Sequence, residues 1–354
     1  MGASPSREVI VKCRAMHARL LGRGDYDKLI SMKSVSQIAA YLKKQTPYAY
    51  VLRRIDENDV HRGQLEQLFK RSLFYDYERL IKFTAGTYKP AIRAMFDSYE
   101  IDDLKLVIGS ICSEHEQFLS ADDLTYIRSY SEYSTDFILS ADNMEQLVDN
   151  LNGTRYYEPL LPFAARENPN FTAIDHALNL LNYRALIKAF RETAGGGDLK
   201  ALISLFCTRT DIENILYVYR TKKLYNIPAS EIAMRILPCE YKISRRELLE
   251  LSGCDGIEAM TDKLADTYYG FLFPKSREHE WETLHSEYIY SRLVSNMRKP
   301  GGSVSAAYAY LYLKEIDIKN IIMIIEGVRY ALPADQITSF IIGYNKKTVE
   351  AAVG

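Results

Sequence analysis

The chain has 354 residues, 47% of them hydrophobic and 26% charged, with a formal net charge of −1. That length and balance predict two to three globular domains with a sizeable core, and the overall charge gives no sign of a strongly basic nucleic-acid-binding surface, although balanced totals can hide local patches. Five cysteines (Cys13, Cys112, Cys207, Cys239 and Cys254) lie far apart, an odd and scattered set that predicts reduced thiols in a cytoplasmic protein rather than a disulfide framework.

Taken in order, residues 1–21 lack the apolar core of a signal peptide. The first patterned helix ends at Thr46, followed by Tyr48 and Leu52, a Thr-x-Tyr step with an apolar residue four places on. Leu65, Phe69, Leu73, Tyr77 and Ile81 step by four and predict one face of a helix, which also carries Tyr77, Leu80 and Ile81 as a second pattern. A turn at Ala85-Gly86 and Pro90 leads to the helical face Ile101, Leu104, Ile108 and Ile111, where Asp102, Lys105 and Leu106 make a third pattern.

The same three patterns then return in the same order. Thr154, Tyr156 and Leu160 come first, then Tyr183, Leu186 and Ile187, the turn Gly195-Gly196-Gly197, and Asp211, Asn214 and Ile215. The last third repeats them as Thr267, Tyr269 and Phe273, then Tyr290, Leu293 and Val294, the turn Pro300-Gly301-Gly302, and Asp317, Asn320 and Ile321. The helix before Thr46 is out of step by one residue, which predicts an indel. Segments near Tyr156 and Tyr268 come nearest to strand alternation and are read as helix or loop. Repetition at a nearly constant period predicts an all-α chain of three tandem similar helical domains, 1–117, 118–227 and 228–354, the last with a short polar C-terminal tail. Asp102, Asp211 and Asp317 are expected at helix starts, where a carboxylate satisfies free N–H groups and suits the helix dipole. Three such units either form an open solenoid or close around an axis.

No pattern in the sequence carries catalytic chemistry. There is no phosphate-cradling Gly-x-x-x-x-Gly-Lys-Ser/Thr sequence; the triple glycine is followed by Asp198. Cys112 and His115 make only two potential zinc ligands, and His61, His176, His279 and His285 are isolated. Asp102-Asp103 and Asp122-Asp123 read as helix caps rather than acid–base pairs. Arg23-Gly24-Asp25 and the acceptors at Asn152 and Asn170 have no meaning in an intracellular chain. The most apolar run, 318–325, holds Lys319 and Asn320, and no stretch reaches the roughly 20 apolar residues that cross a bilayer. Basic residues Arg220, Lys222 and Lys223, with Arg329 similarly placed in the last third, suit helix C-termini and are also candidates for partner contact. The 27 tyrosines are expected to be mostly half-buried packing residues.

Two stretches carry a family resemblance. Arg14-Ala15-Met16 with Arg19-Leu20-Leu21 and Leu29, and the run from Leu311 through Glu315, Asp317, Asn320 and Ile321 to Gly327 and Leu332-Pro333, resemble the C/d subunits of V-type and A-type ATPases, as do the Thr-x-Tyr and Glu-Ile-Asp elements. The second unit departs, with Arg209-Thr210-Asp211 in place of Glu-Ile-Asp. The resemblance spans the chain and implies a bacterial or archaeal form. It implies a funnel of three helical domains about a pseudo-three-fold axis, a non-catalytic central-stalk subunit on the cytoplasmic face of the membrane. Such a subunit is a socket between the D–F axle and the proteolipid rotor ring, couples ATP hydrolysis or synthesis to H⁺ or Na⁺ transport, and has no cofactor, nucleotide site or ion site of its own. The other readings of the sequence are a helical-repeat adaptor in another intracellular complex and an all-helical enzyme with a carboxylate site.

Overall fold

The computed structural model describes residues 5–56, 62–84, 86–113, 119–121, 123–124, 131–166, 170–225 and 227–344. Ala85, His61, His115, Asp122 and the polar tail beyond residue 344 lie outside the described residues. Every regular element among those described is a helix, so the chain is all-α.

After α1 (Pro5–His17) one order of elements occurs three times. Two short helices come first, then a Thr-x-Tyr turn into a third short element, then two long helices. The first pass is α2 (Arg23–Ile30), α3 (Val35–Gln45), α4 (Ala49–Leu52), α5 (Arg62–Phe83) and α6 (Lys89–Ile111). The second is α7 (Thr135–Leu139), α8 (Met144–Asn150), α9 (Tyr157–Ala164), α10 (Phe171–Thr193) and α11 (Gly196–Tyr225), closed by α12 (Ala229–Arg235). The third is α13 (Arg245–Ser252), α14 (Gly256–Ala265), a 3-10 turn (Gly270–Leu272), α15 (Trp281–Arg298) and α16 (Ser303–Arg329), closed by α17 (Ala334–Phe340).

The local reasons recur with the elements. The stripe Leu65, Phe69, Leu73, Tyr77 and Ile81 is buried throughout, as a four-residue step on a helix requires. Ser34 and Asn143 start α3 and α8 by accepting from the N–H groups of Gln37 (3.2 Å) and Gln146 (3.0 Å), caps worth about 1 kcal/mol each. The motif threonines end the preceding helical turn: Thr46, Thr154 and Thr267 donate to the carbonyls of Leu42, Leu151 and Leu264 at 2.6–2.8 Å. Thr46 and Thr154 also accept from the N–H of the motif tyrosine, both at 3.2 Å. The apolar residue four places after each tyrosine (Leu52, Leu160, Phe273) is buried. Between α15 and α16 the chain needs Gly301 and Gly302 at φ +85° and +89°. There the carboxylate of Asp198 accepts from the N–H groups of Ser303, Val304 and Ser305, each at 3.0 Å. It satisfies three donors that a helix start leaves open, and it approaches so closely that a Cβ on residue 302 would lie 2.9 Å from its oxygen.

The chain forms two compact units. Residues 77–193 pack α6 against α10 over Ile101, Leu104, Val107, Ile108, Leu147 and Leu178. Residues 1–76 with 194–354 have α16 at their centre, buried along most of its length and packed by α1, α11 and α15. A second cluster there gathers Ile215, Val218, Leu248, Leu264 and Trp281.

The expected helix starts at Asp102, Asp211 and Asp317 are not found. These residues lie midway along α6, α11 and α16, roughly four turns after the glycine- and proline-marked turns where those helices begin. Mid-helix N–H groups are already bonded within the helix, so a carboxylate there has nothing to cap. Asp102 is exposed, whereas Asp211 and Asp317 are buried.

Candidate functional site

Each motif tyrosine is almost wholly buried and donates its hydroxyl to a buried carboxylate on a long helix. Tyr156 donates to Glu100 at 2.6 Å, Tyr269 to Asp211 at 3.0 Å, and Tyr48 to Asp317 at 2.8 Å. Each carboxylate also accepts from a backbone N–H near the start of the same set of short helices: Glu132 at 2.7 Å, Lys242 at 2.7 Å and Leu21 at 3.4 Å, respectively. A buried carboxylate is tolerated only when its lone pairs are filled in this way. One clasp, made from the same three kinds of group, therefore occurs three times.

These pairings correct the sequence register. Glu100, not Asp102, is the counterpart of Asp211 and Asp317. With Glu100 in that place, Leu104, Ile215 and Ile321 align, and all three are fully buried. The signal was present as an acid, then Ile, then any residue, then Asp or Asn: Glu100-Ile101-x-Asp103, Asp211-Ile212-x-Asn214 and Asp317-Ile318-x-Asn320. Asn214 and Asn320 do the same work, each gripping one later residue through both its N–H and C=O. Asn214 holds Leu237 at 3.0 and 2.9 Å, and Asn320 holds Ile342 at 3.0 and 2.9 Å.

The clasps differ in how charge is balanced. At Glu100 the cation is Arg155, 3.2 Å from Glu100 and 3.4 Å from both Asp97 and Glu132. At Asp317 it is buried Lys314, one turn earlier on α16, whose ammonium stands 3.7 Å from the centre of the Tyr48 ring; Tyr26 adds a hydroxyl donor at 2.6 Å. Thr208 takes the Lys314 position at Asp211 and hydrogen-bonds Tyr269, and the carboxylate there is met by backbone N–H groups and the Tyr269 hydroxyl. Burial raises the pKa of Asp317 against the pull of Lys314 and the two tyrosine hydroxyls. It raises that of Asp211 against the N–H groups of Lys242 and Tyr241. Burial also lowers the pKa of Lys314, with Asp317 and Asp76 opposing, and raises the tyrosines well above their usual range. These tyrosines and carboxylates are sealed from solvent, and their geometry is that of structural joints.

The comparison with known families fits this architecture. A family model described as ATP synthase (C/AC39) subunit matches residues 9–340. The chain belongs to that family. Among similar proteins, the C subunit of the A-type ATP synthase of Methanosphaera stadtmanae is 22% identical, covering 94% of this chain and 86% of its own length. The corresponding A-type ATP synthase protein of Archaeoglobus fulgidus is 21% identical over 93% and 94% of the two chains, and that of Methanosarcina mazei 24% over 80% and 73%.

The basic residues singled out in this member of the ATP synthase (C/AC39) family mostly meet partners within the chain. Arg220 pairs with Glu282, and Lys223 with Glu278 and the Tyr219 hydroxyl. Lys222 donates to the Ser252 carbonyl at 2.9 Å. Arg329 is exposed beside the ring of Tyr330. Lys223 and Arg329 occupy the same position, twelve residues after Asp211 and Asp317. Sequence reasoning missed Glu100, Arg155, Tyr26 and Lys314. Among the described residues no helix is long and apolar enough to cross a membrane, and no group of three or more His, Cys, Asp or Glu is placed to hold a metal ion.

Proposed function

We propose that the protein is the non-catalytic central-stalk subunit of a V/A-type rotary ATPase, a socket that joins the D–F axle to the proteolipid ring on the cytoplasmic face of the membrane. The match of residues 9–340 to the ATP synthase (C/AC39) subunit family carries this reading. The three clasps support it physically. Torque passes through a coupling without slip only if the coupling is stiff, and long helices tied by buried hydrogen bonds resist deformation.

The pairing order favours the division into three domains, 1–117, 118–227 and 228–354, set about a pseudo-three-fold axis as a funnel. Glu100 and Asp211 each take a tyrosine from the next copy, 56 and 58 residues later, and Asp317 takes its tyrosine from the first copy, 269 residues away. A head-to-tail contact used three times in this cyclic order is what a closed arrangement requires. Arg220, Lys222, Lys223 and Arg329 are candidates for the partner-facing rim.

Reconstitution tests the role. Membranes carrying the proteolipid ring but stripped of this protein receive the ATPase head and axle, with or without the purified protein. ATP-driven ion transport is expected only with the protein, while hydrolysis by the free head is unchanged. Transport indifferent to the protein removes the socket role.

A further inference from the structure

Six polar side chains on α11, α15 and the loops that lead into the third pass close into one ring. Arg292 on α15 donates through Nη1 to the Tyr288 hydroxyl at 3.2 Å and through Nη2 to the Ser204 hydroxyl of α11 at 2.6 Å. Ser204 also bonds the Tyr241 hydroxyl at 2.9 Å, and Tyr288 shares a hydrogen bond with Tyr268. Lys242 completes the circle. Its ammonium stands 5.3 Å from the centre of the Tyr241 ring and 5.1 Å from that of Tyr268. Both arms of the ring thus lead from the guanidinium to the ammonium, which puts the two cations at one site. Tyr288 is buried, whereas Tyr268 and Lys242 are exposed to solvent.

The ring holds two positive charges and no acid. Among the described residues neither Arg292 nor Lys242 pairs with a carboxylate. The buried carboxylate of Asp211 is met by the backbone N–H groups of Tyr241 and Lys242 and by the Tyr269 hydroxyl, not by the ammonium. Donors also outnumber acceptors. Whichever way the Tyr241–Ser204 and Tyr268–Tyr288 bonds run, each leaves one hydroxyl proton without an acceptor. The Nε–H of Arg292 is buried with none. The ammonium meets only ring faces, contacts that offset little of an exposed charge.

The other copies show that the fold does not need this arrangement. Lys242, whose N–H meets the clasp carboxylate, corresponds to Glu132 and Leu21. Tyr268, the residue before the motif tyrosine, corresponds to Arg155 and Pro47. In the second copy those two places close as an ion pair at 3.4 Å, with Asp97 and Glu100 also on the guanidinium. In the first copy they carry no charge. All three clasps form regardless.

We propose that Ser204, Tyr241, Lys242, Tyr268, Tyr288 and Arg292 form a binding site for a phosphate group. Two cations call for a doubly charged ligand, and the spare donors for more oxygens than a carboxylate has. A phosphate monoester carries a charge of about −1.5 to −2 at pH 7 and three strong acceptor oxygens. Lysine meets such a group as a point charge, and the planar fork of arginine fixes its orientation. The site does not depend on the role as a rotor socket.

The probe is inorganic phosphate, titrated calorimetrically into isolated full-length protein against chloride of equal ionic strength. Saturable binding is expected. Lys242→Gln should weaken it roughly tenfold, and Lys242→Arg, which keeps the charge, should restore most of it. Lys242 is exposed, so its replacement leaves the fold intact. No heat beyond the chloride control, or equal affinity in Lys242→Gln, overturns the proposal. Co-sedimentation with vesicles separates the sources of the phosphate. Phosphatidic acid presents a phosphate monoester and phosphatidylglycerol only a diester. Sedimentation with phosphatidic acid alone, released by inorganic phosphate, makes a lipid headgroup the source. Absence of sedimentation, or equal sedimentation with both lipids that phosphate does not change, makes it a soluble phosphate compound, provided the calorimetric binding holds.

Discussion

The clasp at Asp211 predicts the effect of deleting one oxygen atom. Tyr269→Phe removes the hydroxyl that reaches Asp211 at 3.0 Å and leaves ring packing intact. Backbone donors remain: the N–H groups of Lys242 at 2.7 Å, Tyr241 at 3.4 Å and Ile243. A hydrogen bond to a charged group is worth about 1.5–3 kcal/mol, and none of the lost bond is replaced by water at a site this buried, so the expected loss at neutral pH is about 2 kcal/mol. Trp281, the only tryptophan, lies in the same core as Tyr269. Its fluorescence in a urea titration reads the loss as a lower midpoint at unchanged slope.

The pH dependence makes the test sharper. The hydroxyl stabilises the ionised carboxylate, and burial raises the Asp211 pKa above its usual 3.8. As pH falls through that raised value Asp211 takes up a proton, and the charge-assisted part of the bond goes with it. The penalty of Tyr269→Phe therefore shrinks on acidification. A variant within about 0.5 kcal/mol of wild type at pH 7, or a penalty that grows as pH falls, refutes the reasoning.

Other expectations follow from single contacts. A Cβ at Gly270 would lie 2.1 Å from the backbone oxygen of Ala265, so Gly270→Ala should cost about 1–3 kcal/mol in a thermal melt, because backbone cannot step aside as a side-chain end can. Asn214→Ala leaves both backbone groups of Leu237 unanswered; a loss of about 1–3 kcal/mol, with faster amide exchange confined to the neighbourhood of Leu237, is expected. Burial lowers the His285 pKa from 6.5 to about 4, with Glu282 opposing and Arg220 assisting. A base whose folded pKa is depressed contributes stability above its unfolded pKa and loses it as pH falls toward the folded one. About 3 kcal/mol should disappear between pH 6.5 and 4, and His285→Gln should flatten that part of the urea-midpoint profile.

Much of this was legible in the sequence, for local reasons. The four-residue apolar step of Leu65 to Ile81 can be satisfied only by a helix face, and the helix is there with that face buried. The Thr-x-Tyr motif marked a helix end because the threonine hydroxyl bonds within its own turn. The first copy's carboxylate was misjudged because Glu100-Ile101-Asp102 and Glu315-Ile316-Asp317 share the tripeptide Glu-Ile-Asp. Identity of letters suggested that Asp102 matches Asp317, whereas burial follows the isoleucine after the acid, Ile101 and Ile318. Tyr26 and Lys314 carried no repeat signal, since neither recurs in the other copies, and the Tyr26 bond to Asp317 joins opposite ends of the chain. Spacing rules see neighbours along a helix, and Asp317 meets Tyr48 across 269 residues.

The pairing order of the clasps also bears on ancestry. A gene for one copy would encode a carboxylate and a tyrosine that cannot reach each other, because each needs the neighbouring copy. Such a polypeptide is incomplete as a monomer and self-complementary as a homotrimer, with each chain's acid closing on the next chain's tyrosine. Triplication and fusion of such a gene would yield a chain of this form, with two of the interfaces spanned by the backbone and the third, between Asp317 and Tyr48, joining two ends of the sequence. Fusion also frees each copy to diverge. Arg155 at one clasp, Lys314 at another and Thr208 at the third are three outcomes that a homotrimer, with one sequence for every interface, has no means to combine.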